Sequence, residues 1–163
     1  MPMLQDVVIT DRCEARRRMR ISAKGEYAIK AMLDLALQRD RGLIPIQEVA
    51  ARQGIPQRYL EQVLLSLKRA GLLTSKRGST GGYHLTREPE EITVGAVLRA
   101  VEGTRAPFEA GSARRNGAAD SDLGELWEEI AEAVSKVVDR LTFGELVIRA
   151  RERRSKARPM YHI

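Results

Sequence analysis

Polar side chains suited to base recognition lie along one face of a predicted helix over residues 57–70. Its apolar residues recur at the spacing of a buried helix face: Leu60, Val63, Leu64 and Leu67. The opposite face carries Gln57, Arg58, Glu61, Gln62 and Arg69. Gln and Arg form paired hydrogen bonds with purine edges, and Glu accepts from the amino group of cytosine. The pattern indicates a helix that can enter the major groove of DNA, although an ordinary solvated face has the same composition.

A second polar group lies in a glycine-rich turn. Residues 77–82 (RGSTGG) join two strand-like runs, residues 72–76 and 83–86, which predicts a β-hairpin. Lys76 and Arg77 lie at the edge of this turn, and an arginine on a slim hairpin can enter a narrow minor groove. The alternative is a plain surface hairpin. A nucleotide-phosphate loop is excluded because the turn lacks the GK[ST] ending and the strand-to-helix setting.

Several predicted elements must position these side chains. A first helix spans residues 22–38, and a second spans residues 46–53 before Gly54. The turn Gly54-Ile55-Pro56 joins the second helix to the third at helix-turn-helix spacing. A fourth helix, over residues 94–102, begins after Thr93, whose hydroxyl is suited to cap it. In this setting the polar faces favour DNA binding over a solvated surface.

The composition favours a polyanionic partner. The 163 residues include 28 Lys and Arg against 22 Asp and Glu, giving a net charge of +6 and a pI near 9.8. No apolar run approaches the roughly 18 residues of a membrane-spanning helix, and the N-terminal sequence does not resemble a secretory signal. The single cysteine, Cys13, is consistent with a reducing compartment. We therefore expect a cytoplasmic protein with no membrane partner.

Residues for catalysis are few. His84 and His162 are the only histidines, and neither belongs to an acid–base or metal-ligand cluster in the sequence. Cys13 lies in an N-terminal segment without sustained periodicity, where a nucleophile has no positioned partners. The sequence therefore predicts a protein that is not an enzyme and has no metal and no cofactor.

A late amphipathic segment predicts a dimerisation helix that begins near Ser121. Its apolar residues recur at spacings of four and three: Leu123, Trp127, Ile130, Val134, Val137 and Leu141. These are the spacings of a coiled-coil seam. The alternative is a stripe that packs on the chain's own core. A small winged helix offers little surface for that, so we favour a homodimer.

The chain divides into five predicted parts. Residues 1–18 are a flexible basic extension, and residues 19–103 are the winged helix-turn-helix DNA-binding domain. Residues 104–120 are a loop, and residues 121–148 are the dimerisation helix region. Residues 149–163 are a basic tail that ends in isoleucine. The predicted fold class is mainly α with a small β-hairpin wing, a winged helix-turn-helix plus a long C-terminal dimerisation helix.

Three segments resemble one known family. MRISAKGEYAIKAMLDLA, RYLEQVLLSLKRAGLLTSKRGSTGGYHLT and ITVGAVLRAVEG are similar to the Rrf-two (IscR/NsrR/CymR) family of winged-helix regulators. The combination of YLEQ with an AGL–RG–GGY pattern is more specific than a generic helix-turn-helix. The resemblance implies a homodimeric transcriptional repressor that binds a palindromic operator in double-stranded DNA. Recognition helices would lie in major grooves and wings in minor grooves.

The resemblance also assigns DNA contacts by position. The implied set is Lys24, Arg58, Tyr59, Glu61, Gln62, Lys76, Arg77 and Gly78. Lys24 matches a phosphate contact of the first helix. Arg58 stands where the family often has serine. Cluster-holding members place three cysteines in the loop after the fourth helix, and residues 103–120 contain none, so the resemblance implies no protein-bound iron–sulfur cluster.

The last residues resemble those of the cluster-free, cysteine-metabolism (CymR-type) branch of the family. They are Met160, Tyr161, His162 and Ile163. The resemblance implies control by cysteine synthase, which would bind this tail, and a free carboxylate beside an apolar side chain suits capture in a substrate-shaped pocket. The alternatives are a same-family regulator responding to a small ligand or to an iron–sulfur, redox or nitric oxide signal. A protein-interaction scaffold with vestigial DNA binding is the alternative of another class.

Overall fold

A computed structural model describes residues 21–103 and 123–158. These ranges contain six α-helices and one hairpin: α1 (Ala23–Leu37), α2 (Ile46–Gln53), α3 (Gln57–Arg69), β1 (Leu73–Lys76), β2 (Gly82–Leu85), α4 (Val94–Glu102), α5 (Gly124–Arg140) and α6 (Phe143–Ala157). The predicted fold class is confirmed: the described part is mainly helical, with one small hairpin wing.

Local signals explain where the first four helices begin and end. The Ser22 hydroxyl accepts a hydrogen bond from the Gly25 amide, at 3.1 Å, at the start of α1. Thr93 caps α4 in the same way, accepting from the Ala96 amide at 3.1 Å, as the sequence predicts. Gly54 ends α2 in the left-handed conformation, at φ 62°, which glycine adopts without a steric penalty.

The hydrophobic core surrounds α1. Its small and flexible apolar residues are buried: Ala28, Ala31, Met32, Leu35 and Ala36. Helices α3, α4 and α6 pack against it. The predicted inner face of α3 is confirmed, since Leu60, Val63, Leu64 and Leu67 are all buried. The core therefore fixes which face of α3 is left for solvent.

The hairpin is anchored to the loop before α2. β1 and β2 are antiparallel, with Leu73 opposite Leu85 and Lys76 opposite Gly82. Tyr83 exchanges two backbone hydrogen bonds with Ile44, each 2.9 Å long. A Cβ on Gly82 would lie 2.5 Å from the Ile44 carbonyl group, so this close approach requires glycine.

The predicted dimerisation helix region, residues 121–148, contains one helix that matches the apolar repeat and the start of another. Arg140 ends α5, and a capping box starts α6: Thr142 accepts from the Glu145 amide, and the Glu145 carboxylate accepts from the Thr142 amide. The buried residues Phe143 and Val147 pack α6 against the core. Part of the predicted basic tail is therefore helical, through Ala157.

The predicted seam residues divide into two groups. Val134 and Leu141 are partly buried and pack against the chain's own core. The exposed group is Leu123, Trp127, Ile130 and Val137, each 43–54% exposed. Leu126, which the predicted seam omitted, is exposed beside them. One part of the apolar stripe therefore packs in the core of the chain, and the other part forms an exposed apolar face.

Some predictions fall outside the described residues. They concern the extension 1–18, the loop 104–120, Ser121 as a cap, and the tail residues 160–163. Within the described ranges, no helix combines the length and apolar character that a bilayer crossing requires.

Candidate nucleic-acid interface

The polar face of α3 is turned to solvent along its first two turns. Arg58, Tyr59, Glu61 and Gln62 are all exposed, and Tyr59 is 58% exposed despite its aromatic ring. The buried Ile55 fixes the turn that precedes the helix. An exposed, polar N-terminal half is what a helix needs to present side chains to base edges.

A hydrogen bond within α3 orients one of these side chains. The Gln57 amide donates to the Glu61 carboxylate, with 3.3 Å between Nε2 and Oε1. The bond occupies one carboxylate oxygen, so the second oxygen can accept from a base amino group. Gln57 therefore orients Glu61. The two residues are four positions apart, which is the spacing of neighbouring side chains on a helix.

A groove joins the start of α1 to α3. Its volume is about 440 Å³, and its lining residues are Ala23, Lys24, Tyr27, Tyr59, Gln62 and Val63. The structure thus brings Lys24 together with Tyr59 and Gln62, which are more than thirty positions away in the sequence. The positive end of the α1 dipole lies here too, which favours an anion such as a phosphate. Tyr27 is a lining residue that sequence reasoning missed, because only the packing of α1 on α3 brings it to the groove.

The wing presents a separate cationic tip. Lys76, Arg77 and Gly78 are exposed, and the Gly81 amide donates to the Gly78 carbonyl at 3.0 Å to close the turn. A Cβ on Gly81 would lie 2.2 Å from the Lys76 carbonyl oxygen, so the tip depends on glycine at this position. These residues do not line the α1–α3 groove, and they form a second potential contact surface.

The wing and α3 are also connected to each other. The Lys68 ammonium group, near the end of α3, donates to the Ser75 hydroxyl on β1 at 2.7 Å. Because both elements flank the same turn, this bond limits the motion of the hairpin relative to the helix. The bond therefore connects the two elements that carry the potential contact surfaces.

A buried carboxylate fixes α2 to α1. Asp34 is 2% exposed and accepts two hydrogen bonds from Arg52, from Nε at 2.9 Å and from Nη2 at 2.8 Å. Gln53 donates a third bond, at 3.1 Å. The hydrogen bonds that Arg52 donates to Asp34 raise the pKa of the Arg52 guanidinium above its ordinary value. Sequence reasoning missed this cluster, although a lone Asp34 within an apolar helix face was a signal.

A surface ion-pair network continues from that cluster. Glu48 accepts from Arg52 at 2.9 Å and pairs with Arg41 at 2.9 Å. Hydrogen bonds from Arg41 and Arg52 lower the pKa of the Glu48 carboxyl group. The network extends the α1–α2 connection to the turn after α1.

A family model and curated relatives identify the class of protein. The model described as "Rrf2: Iron-dependent Transcriptional regulator" matches residues 21–149. The HTH-type transcriptional regulator IscR of Aliivibrio salmonicida is 39% identical over 131 residues, which cover 80% of this chain and 78% of that protein. IscR of Serratia proteamaculans is 40% identical over 130 residues, covering 79% of each. These relatives are transcriptional regulators, and none of them points to catalysis.

The residues present do not fit a cysteine-held iron cluster. The sequence contains one cysteine, and thiolates are the usual ligands of such clusters. Among the described residues, no group of three or more His, Cys, Asp or Glu side chains could hold a metal ion. The iron in the description of the family model therefore has no corresponding ligand set in the described part of this chain.

Solved structures agree with the sequence comparisons. The structure of T. potens IscR is similar with a TM-score of 0.72 and 34% identity, covering 88% of this chain and 97% of that chain. CymR, the global cysteine regulator of B. subtilis, is similar with a TM-score of 0.67 and 34% identity, covering 80% of this chain and 97% of that chain. With the winged helix described above, these matches lead to one conclusion: the chain belongs to the Rrf2, or Rrf-two, family of transcriptional regulators.

Proposed function

We propose that the chain is a sequence-specific transcriptional repressor that binds a palindromic operator as a homodimer. In each subunit α3 enters a major groove, with Tyr59, Glu61 and Gln62 against base edges. Arg77 enters the adjacent minor groove. The observation that carries this proposal is the exposed polar face of α3 continuing into the groove that contains Lys24. Binding beside a promoter would block RNA polymerase.

The phosphate backbone supplies the second part of the proposed contact. Lys24 lies at the positive end of α1, where a DNA phosphate would gain from both the ammonium charge and the helix dipole. Tyr27, which lines the same groove, would pack against the neighbouring sugar. Phosphate contacts fix register and orientation, so this groove would align α3 on the duplex.

The homodimer is supported by the outward apolar face of α5. Leu126, Trp127 and Ile130 are 43–45% exposed on consecutive turns, and no described part of the chain covers them. A second copy related by a two-fold axis would bury both stripes against each other. Two recognition helices related by that axis match a palindrome.

Binding to a duplex selected in vitro with the wild-type protein tests the proposal. We expect Arg77→Ala to lower affinity by about 1–3 kcal/mol, because a minor-groove contact is lost. Arg87→Ala is the matched control, since Arg87 is exposed beyond the other end of β2 and should not matter. Affinity should fall steeply with added salt. Salt-independent binding, or equal effects of both variants, would contradict the proposal.

We propose that DNA binding is regulated by cysteine metabolism, as in a CymR-like role. In this hypothesis cysteine synthase binds residues 160–163. The C-terminal sequence resemblance and the similarity to solved CymR support this hypothesis. O-acetylserine would compete with the tail and weaken the complex. Titration of purified cysteine synthase against the full chain and a chain lacking residues 160–163 tests it. The truncation should abolish the complex and leave the oligomeric state unchanged; equal affinities would refute the tail mechanism.

A response to an iron–sulfur, redox or nitric oxide signal is the second candidate, because the matching family model is described as iron-dependent. The absorption spectrum of anaerobically purified protein separates the two. A visible absorption band that is lost on exposure to air would support the second candidate. A featureless visible spectrum together with tail-dependent capture would support the cysteine hypothesis.

A further inference from the structure

A bidentate ion pair joins α5 to the winged helix. The Arg99 guanidinium on α4 donates to Asp139 on α5, with 2.5 Å from Nη1 to Oδ1 and 2.9 Å from Nη2 to Oδ2. The Ser135 hydroxyl donates to Asp139 Oδ2 at 3.0 Å and so orients the carboxylate. Because α4 contributes four buried residues to the core, this pair connects α5 to the rigid centre of the DNA-binding half.

The position on α4 that faces this ion pair, residue 95, requires glycine. A Cβ on Gly95 would lie 2.1 Å from Asp139 Oδ1 and 2.9 Å from Arg99 Nη1. Both distances are shorter than any real Cβ contact, so a side chain at this position would displace the ion pair. Gly95 costs α4 some helix propensity, and the space it leaves for Asp139 is a physical reason for its presence.

Backbone hydrogen bonds fix the end of α5 beside the same pair. The Val94 amide donates to the Leu141 carbonyl, and the Phe143 amide donates to the Ile92 carbonyl, each at 2.9 Å. The far half of α5 has no such support, since Leu123 and residues 125–130 are exposed and Ala131 is the one buried residue of the helix. The direction of α5 is therefore decided at its C-terminal end.

We propose that Arg99, Asp139 and Gly95 are positioning residues that set the distance between the two recognition helices of the dimer. This inference rests on the proposed function, because it requires that the exposed half of α5 pairs with a second copy. A helix of 17 residues is about 25 Å long, so a tilt of about 10° at its base moves its far end by about 4 Å. That displacement exceeds the rise of one base pair, about 3.4 Å. The pair thus selects the spacing of half-sites.

The test compares full and half palindromes. Duplexes selected with the wild-type protein are used intact, with one arm scrambled, and with one base pair added or removed at the centre. We expect Asp139→Asn and Arg99→Gln to lower affinity for the intact palindrome by about tenfold, the size of a modest coupling between sites. Affinity for the half-site and the dimer dissociation constant should stay unchanged. The preference for one spacing should broaden.

Controls separate positioning from folding and from the proposed function itself. The side chains of Arg99 and Asp139 are 38% and 41% exposed, so the variants should fold with little change in Tm. Lys136→Gln breaks the exposed Glu132–Lys136 pair on α5, which does not involve α4, and should leave the spacing preference intact. Equal losses on full and half palindromes, or no loss on either, would overturn the inference. A wild-type protein with no preference for the intact palindrome would instead refute the proposed homodimer.

Discussion

The position of the exposed residues of α3 depends on a buried carboxylate, that of Asp34 on α1. Asp34 has no contact with the proposed DNA face, but its three hydrogen bonds to Arg52 and Gln53 hold α2 against α1. Since α2 and α3 are joined by a short turn, the position of α2 constrains the start of α3. A buried carboxylate is tolerated only when its lone pairs are satisfied, so the cluster acts as a unit.

Replacement of Arg52 tests this dependence. We expect Arg52→Gln to lower the free energy of unfolding by about 2 kcal/mol, because Asp34 stays buried and loses a bidentate charged partner. Urea denaturation followed by circular dichroism measures the change. Arg41→Gln, which removes an exposed partner of Glu48, is the control and should leave the midpoint almost unchanged. Equal effects of the two variants would show that the burial of Asp34 is unimportant.

The pH dependence of stability provides a second test at this scale. The hydrogen bond from Arg99 lowers the pKa of the Asp139 carboxyl group below its ordinary value, so Asp139 stabilises the fold above the unfolded pKa near 4. That contribution is lost as the pH falls through the lower, folded pKa. We expect Asp139→Asn to lower the Tm only slightly at pH 7, because the pair is partly exposed, and we expect this small difference from wild type to shrink as the pH falls through the folded pKa. A difference that is independent of pH would contradict the charge-based explanation.

At the scale of elements, helices could be predicted from the sequence where capping residues mark their ends. Thr93 and Gly54 mark helix ends through their own side-chain and backbone chemistry, and the structure confirms both. The break at Thr142 had a signal too, because Thr142 and Glu145 have capping-box spacing. Leu141 continues the apolar repeat of α5 beyond its last residue, so the repeat alone does not show that the helix ends at Arg140. The groove at Tyr27 had no sequence signal, since it arises from the packing of two separate helices.

The position of the wing depends on the absence of a Cβ atom at Gly82. We expect Gly82→Ala to destabilise the protein by about 1–3 kcal/mol, because the added methyl group meets the Ile44 backbone and pushes β2 away. Thermal unfolding measures the loss, and limited proteolysis within residues 77–81 reports on the freed hairpin. Ser79→Ala, at the exposed tip, is the control and should behave as wild type. A wild-type proteolysis pattern for Gly82→Ala would show that the strand adapts without moving.

At the scale of the whole molecule, the apolar face of α5 is the feature that the single chain leaves unexplained. Predicting that Val134 and Leu141 turn inward required knowledge of α6, whose Phe143 and Val147 complete the core beside them. The sequence pattern alone treated all six seam residues as equivalent. The structure leaves Leu123, Trp127, Ile130 and Val137 exposed, so these four are the outward residues of the six.

Ile130→Asp tests whether that face holds two copies together. A charge at the centre of an apolar interface would be buried without a partner, so we expect the protein to become monomeric in analytical ultracentrifugation. Because Ile130 is 43% exposed in the single chain, the monomer should stay folded, with its Tm lowered only by the loss of the dimer contacts. Glu129→Gln, at the adjacent exposed position, is the control and should stay dimeric. Affinity for one half-site should persist in the Ile130→Asp monomer while the advantage of a full palindrome disappears. A variant that remains a dimer would move the interface away from α5 and would leave the exposed stripe to another partner.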